Sequence, residues 1–327
     1  MNSPARPRAE VNSPARPRAV VALGGNALGE SPGEQLANLR AAVPALVGLV
    51  ERGYEIVLTH GNGPQVGLIN LAFERAAELG ITPAALELPE CTAVSQGYIG
   101  YHLQQSLQRE LHTRRVARHV ATVVTQVEVD AGDPAFSTPT KPVGSFVSEV
   151  TARKLMEADP SLTMVNDSGR GWRRVVASPK PRRIVEADSV FGLLNSGFIV
   201  VACGGGGVPV VDDGEGGHTG IPAVIDKDFA SALLAEAVDA TALIILTTVD
   251  RVAINFGTPE QIDLAEMTVA EVERHTADGH FAAGSMLPKV TAAANFVRSA
   301  PGRTAVICGL HQAAEALAGT AGTMIRA

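Results

Sequence analysis

Six short apolar runs, most of them separated by stretches of helical period, set the strongest limit on how this chain can fold. VVAL (20–23), EIVLT (55–59), VATVVTQV (120–127), FIVVA (198–202), ALIILTTV (242–249) and TAVIC (304–308) are rich in strand-forming residues and lack a regular polar alternation. A strand that is apolar on both faces must be covered on both, which is the condition of a parallel sheet held between two layers of helices. The segments EQLANLRAAVPALVGLVER, KDFASALLAEAV and KVTAAANFVRS place apolar residues at helical spacing. We therefore expect an α/β fold, a three-layer α/β/α sandwich with a largely parallel open sheet. With 327 residues, 46% of them apolar, the chain can bury a sizeable core. Pro44, inside the first helical stretch, is expected to kink or interrupt it.

Two regions break the alternation. Residues 130–186 are rich in Pro, Gly and charge but punctuated by apolar residues, and read as an inserted, protruding subdomain or lid. At the start, NSPARPRA occurs twice at a period of ten. A Pro, Arg and Ala segment of this kind buries no core. Residues 1–18 are expected to be a disordered extension, with the authentic start near Val11, and residues 19–327 to form the domain.

The formal charge of −7, without a basic stripe interleaved with aromatics, argues against nucleic acid as a partner. No run of 18 apolar residues and no secretory signal is present, so no membrane is expected and the expected location is cytoplasmic. Cys91, Cys203 and Cys308 are odd in number and lack CxxC spacing, which reads as thiols in or near the core. The eight histidines show no metal-ligand spacing beyond a loose His275 and His280 pair. They read as ordinary surface or core residues, and no metal site among the side chains is expected.

The glycines carry more information. They cluster after predicted strands: VVAL then GGNAL, VLTH then GNGPQ, FIVVAC then GGGG, AVIC then GL. Ligands of open parallel sheets bind outside those strand ends, where helix N-termini also point. Gly24, Gly25 and Asn26, and then Gly61, Asn62, Gly63 and Pro64, could be tight turns or anion-binding turns; their recurrence in one chain favours an anion. The run Gly204, Gly205, Gly206, Gly207 could be a flexible connector or backbone that must come very close to a guest. There is no GxxxxGK[ST] and no GxGxxG, and the four glycines lead into VPVV rather than a helix, so the common nucleotide fingerprints are excluded.

Lysine usage sharpens the reading. Of 27 basic residues only Lys141, Lys154, Lys180, Lys227 and Lys289 are lysine. A chain that uses arginine nearly everywhere keeps lysine where a compact ammonium is needed. Lys227 lies between Asp226 and Asp228 in IDKDF, and Lys289 follows Pro288; both begin helical patterns. A cation at a helix N-terminus has the wrong sign for the dipole, so an anionic guest is the physical reason to put two there.

Together VVALGGNAL, THGNGPQVG, SQGYIGYHL, PTKPVG, GRGWRRVVASPKP, CGGGGVPVV, AVIDKDFAS, ILTTVD and GHFAAGSMLPK resemble the carbamate kinases of the amino acid kinase superfamily, from about Val20 onward. The resemblance implies a homodimer and Mg²⁺-dependent phosphoryl transfer between carbamoyl phosphate and ADP, giving ATP and carbamate, usually at the end of arginine deimination. It implies catalytic roles for Lys141, Lys227, Asp228 and Lys289. Gly24, Gly25, Asn26, Gly61, Asn62 and Gly63 match its anion-binding turns, and Thr247 and Asp250 the region that lines the nucleotide. We place Gly204 to Gly207 near the nucleotide phosphates as well. Ser95 stands where Thr is expected, and GEGGHTGIP before AVIDKD alters the loop near His218. Two alternatives stay open: a related kinase of another small acid, separated by carbamoyl phosphate failing as donor, and a catalytically silent nucleotide sensor, separated by ADP binding without turnover.

Overall fold

The computed structural model of the chain describes residues 16–24, 28–29, 31–160, 162–167 and 169–327. Its centre is an eight-stranded sheet. In chain order the strands are β1 (Arg18–Leu23), β2 (Glu55–His60), β3 (His119–Thr122), β4 (Gln126–Val129), β5 (Lys141–Val147), β6 (Met164–Asn166), β7 (Trp172–Val176), β8 (Pro181–Ile184), β9 (Phe198–Val201), β10 (Val208–Asp212), β11 (His218–Gly220), β12 (Ala242–Thr247), β13 (Val252–Ile254), β14 (Ile262–Leu264), β15 (Glu266–Thr268), β16 (Thr304–Gly309) and β17 (Thr323–Arg326). The main sheet runs β15-β17-β16-β12-β1-β2-β9-β3, parallel throughout except where β17 meets β16.

Alternate residues of the central strands feed two separate cores. Val20, Ala22, Val57, Val200, Leu243, Ile245 and Ile307 face one; Val21, Leu23, Leu58, Val201, Ile244, Leu246 and Val306 face the other. That is why these strands read as unbroken apolar runs. Helices α1 (Pro32–Glu51), α2 (Gly63–Glu78), α3 (Leu88–Thr113), α4 (Glu149–Ala158), α5 (Ala187–Asn195), α6 (Lys227–Ala237), α7 (Val269–Ala277), α8 (Met286–Ser299) and α9 (Ala313–Leu317) follow in chain order. Helices α1, α3 and α9 bury their apolar faces in the second core, and α5, α6, α7 and α8 in the first. The α/β/α sandwich is thus present. None of the described helices is long and apolar enough to cross a membrane.

Helix α1 runs unbroken through Pro44. Ser31 and Glu34 close a reciprocal capping box at its start, and Leu39, Val43, Leu46 and Val50 are buried along it. Tertiary packing of that face outweighs the hydrogen bond that proline removes. The run VATVVTQV, expected as one strand, is two. The side-chain amide of Gln96 accepts from Thr125 N–H at 2.8 Å and donates to Thr125 C=O at 3.1 Å, acting as a substitute strand. The chain leaves the main sheet there and β4 joins a second sheet, β11-β10-β4-β8. β1 begins at Arg18, whose guanidinium bonds Glu55 and Asn195; the repeat up to residue 15 lies outside the described residues.

Between β4 and β8, strands β5, β7 and β6 form an antiparallel sheet with α4 beside it. It meets the main body at a point of backbone contact: a Cβ on Gly67 of α2 would fall 2.1 Å from the Cα of Gly144 in β5. Lys141 leads that strand, so the contact holds its side chain over the C-terminal edge of the main sheet.

Candidate active site

A cleft of about 230 Å³ opens at that edge, lined by Gly24 after β1, Gly61 to Pro64 after β2, Thr247 at the end of β12 and Thr248 after it, and the first turns of α6 and α8. The backbone N–H groups of Gly24 and Gly61 continue the sheet ladder, donating to Leu246 C=O at 3.1 Å and Leu23 C=O at 3.0 Å. These two glycines therefore provide close approach, and the amides left for an anion in the first turn of α2 are those of Gly63 and Gln65, since Pro64 has no N–H and Val66 N–H bonds Asn62 C=O at 2.8 Å. Asn62 turns its side chain inward, its amide donating to Ser95 Oγ at 2.8 Å. Gly25 and Asn26 lie outside the described residues.

Three of the five lysines, Lys141, Lys227 and Lys289, line the cleft, whereas Lys154 and Lys180 do not. Asp226 caps α6, one carboxylate oxygen accepting Asp228 N–H at 2.9 Å while the other pairs with Lys141. Asp228 is 2% exposed; one oxygen pairs with Lys227 and the other accepts from Lys289 Nζ at 3.0 Å. Burial alone would raise the Asp228 carboxyl, but Lys227 and Lys289 outweigh it and hold the group well below the carboxylate range. Burial lowers the Lys227 ammonium, with Asp228 opposing and Lys289 adding to the effect. The first turn of α6 is fixed from behind, where Ser231 Oγ donates to Lys227 C=O at 2.6 Å and lies 2.6 Å from Thr59 Oγ1 of β2.

The insert contributes more than Lys141. Asp167, Arg170 and Arg173 also line the cleft. Arg173, 7% exposed, donates from Nε to Gly144 C=O at 2.9 Å and from Nη1 to Asp167 at 3.0 Å, leaving Nη2 toward Gly63. Sequence reasoning assigned these three no role; the doubled arginine of GWRR in an otherwise loop-like stretch was the available signal. Among the described lining residues, five cations (Lys141, Arg170, Arg173, Lys227, Lys289) face three carboxylates (Asp167, Asp226, Asp228). Such a surplus in a concave site draws anions.

The four glycines prove to be packed by protein. A Cβ on Gly204 would lie 2.3 Å from His60 Nε2, on Gly205 2.1 Å from Asn62 Nδ2, on Gly206 2.4 Å from Ile225 C=O, and on Gly207 2.2 Å from Val127. Gly205, Gly206 and Gly207 also have φ of 66°, 92° and 91°, which side chains disfavour. Gly205 reaches the cleft; Gly204, Gly206 and Gly207 are not among its lining residues. What approaches closely here is the β2 turn and the extended segment at Ile225 just before α6, both of which carry site residues.

With this geometry in view, known proteins are informative. The sequence profile of the amino acid kinase family matches residues 17–309. A carbamate kinase of Staphylococcus haemolyticus is 52% identical over 307 residues, covering 94% of this chain and 98% of its own.

The chain belongs to the amino acid kinase family, among its carbamate kinases.

Solved carbamate kinases of Giardia lamblia agree in three dimensions. One bound to citric acid superposes with a TM-score of 0.88 at 40% identity, over 95% of this chain and 99% of that one. Another, bound to AMP-PNP, gives 0.85 at 40% identity with the same coverage. In this member of the amino acid kinase family Thr247 lines the cleft whereas Asp250 does not; Asp250 is exposed, one carboxylate oxygen standing 2.7 Å from where a Cβ on Gly309 would lie.

Proposed function

We propose that the protein transfers a phosphoryl group between carbamoyl phosphate and ADP, with Lys141, Lys227, Asp228 and Lys289 as its catalytic groups. The observation that carries this is the buried Asp228 aiming two ammoniums, Lys227 and Lys289, into a cleft whose cations outnumber its carboxylates. In the ATP-forming direction an oxygen of the ADP β-phosphate attacks phosphorus, the bond from phosphorus to the carbamoyl oxygen breaks, and carbamate leaves with the electron pair. No proton is transferred, so no general base is needed. The chain has to align the two oxygens and neutralise charge on the transferring group. Lys227 and Lys289 do the latter, Lys141 and Arg173 approach from the insert, and the α2 first turn receives phosphate oxygens. The Gly204 to Gly207 segment, through Gly205, borders the nucleotide side together with Thr247.

Mg²⁺ fits this donor set in one way. Asp226, Asp228 and Asp167 supply hard oxygen ligands, yet each already pairs with a lysine or arginine. Nucleotide phosphates and water would therefore hold the ion, with these carboxylates available at its border. When bound it supplies neutralisation of phosphate charge. The same reading makes the protein a cytoplasmic homodimer working in arginine catabolism. Val94 and Tyr101, exposed a heptad apart on α3, supply an apolar face for the twofold contact.

The deciding assay is ATP formation from ADP and carbamoyl phosphate with and without Mg²⁺. Turnover should require the metal and fall by about 10²-fold or more in Lys227→Ala with the fold retained. No ATP, equal ATP from another acyl phosphate, or an unaffected variant refutes the assignment.

A further inference from the structure

Helix α7 ends in a turn that brings two imidazoles together. Asp278 N–H donates to Arg274 C=O at 2.9 Å, Gly279 N–H to Thr276 C=O at 3.1 Å and His280 N–H to His275 C=O at 3.1 Å, with Gly279 at φ 77°. The last two bonds define a Schellman termination, whose geometry presses the side chain five residues back in the chain against the one that ends the motif. That contact is usually hydrophobic. Here it is His275 against His280, ring centroids 5.6 Å apart at 66°, with the carboxylate of Asp278 at the cap between them. One ring nitrogen of each histidine and a carboxylate oxygen of Asp278 all lie within 4.8 Å of one another. His275 Nδ1 is buried yet has no hydrogen-bond partner among the described residues, a condition that calls for an explanation in a folded protein. Phe281, 6% exposed, meets His275 edge-on at 6.3 Å and walls the cluster on the core side.

We propose that His275, Asp278 and His280 form a binding site for one divalent transition-metal ion of the zinc class. Two imidazoles and a carboxylate are a donor set for such ions, with a fourth position left for water; magnesium prefers oxygen donors alone, so this site is chemically separate from the nucleotide's ion. Metal-ligand bonds of about 2.0–2.1 Å need donor atoms roughly 3.4 Å apart. Rotation of the two rings and the exposed carboxylate closes that gap, because all three residues sit on one hydrogen-bonded turn. The chain runs straight from this turn to Gly284, Ser285 and Lys289 in the cleft, so a bound ion would stiffen the segment that delivers them.

The test uses the full chain, stripped with EDTA and titrated with Zn²⁺ by calorimetry. One equivalent should bind and raise the melting temperature. Co²⁺ in its place should give d–d absorption without thiolate-to-metal charge transfer, which separates the site from Cys91, Cys203 and Cys308. His275→Gln with His280→Gln should weaken Zn²⁺ binding at least about tenfold and remove the thermal shift, while melting in EDTA stays as in the parent. Asp278→Asn, at an exposed position, should also weaken binding and serves if the double variant does not fold. No saturable Zn²⁺ binding by the parent, undiminished affinity in the variants, or a thiolate spectrum with Co²⁺ overturns the proposal. None of these readouts depends on kinase turnover.

Discussion

His60 ends β2 in full burial, 1% exposed, its Nδ1 3.1 Å from Gly61 C=O and its Nε2 without a hydrogen-bond partner among the described residues. Burial lowers its pKa to about 4, the bond to Gly61 opposes this, and the charge of Lys227 lowers it further. In the unfolded chain the ring titrates near its ordinary value of about 6.5. Between those two values the unfolded state holds a proton that the folded state does not, so stability rises with pH across the window and is lost as pH falls. Using a folded value of about 4, the loss relative to pH 8 is about 2 kcal/mol at pH 5 and about 3 kcal/mol at pH 4. His60→Asn keeps an amide that can donate to Gly61 C=O but cannot titrate. Urea unfolding of both proteins from pH 8 to pH 5 should show the parent's advantage shrinking by about 2 kcal/mol. The baseline cost of the substitution does not enter this difference. Parallel curves would refute the view that His60 is locked neutral by the tetraglycine packed over it.

Asp228→Asn removes the carboxylate that pairs with buried Lys227 and half-buried Lys289 and should cost about 3–5 kcal/mol of stability with about a 10²–10³-fold loss of turnover; added inorganic phosphate should restore more melting temperature to the variant than to the parent. Gly206→Ala combines a φ of 92° with a Cβ 2.4 Å from Ile225 C=O, whereas Gly53→Ala has a φ of 90° and open space. The first should lose at least about 3 kcal/mol and the second about 1–2 kcal/mol, and equal denaturant midpoints would contradict the packing argument. Arg173→Lys should raise the KM of the phosphate-bearing substrate about tenfold, the worth of one charge-assisted hydrogen bond, with kcat little changed; steady-state kinetics decide it.

The layered fold was legible because its strands are apolar on both faces, a pattern that only a doubly covered sheet satisfies. The lysines were legible for a different reason: at a helix start their charge opposes the dipole, so Lys227 and Lys289 stood out as needing an anion. Neither the break in VATVVTQV nor the continuity of α1 through Pro44 could be read locally. Each depends on a partner distant in sequence, Gln96 for the first and the buried face of the helix for the second.

The sequence by itself narrowed Gly204 to Gly207 to a connector or a close approach of backbone, and marked Lys227 and Lys289 as cations at helix starts that need an anion. Only the tertiary structure decided that the close neighbours are His60, Asn62, Ile225 and Val127, that Asp228 joins two lysines 62 residues apart in the chain, and that Arg173 reaches in from the insert. The physical reason is range. Propensity, dipole sign and the missing Cβ act within a turn or two of the residue that carries them, whereas desolvated ion pairs and backbone contacts form between segments that only the folded sheet brings together.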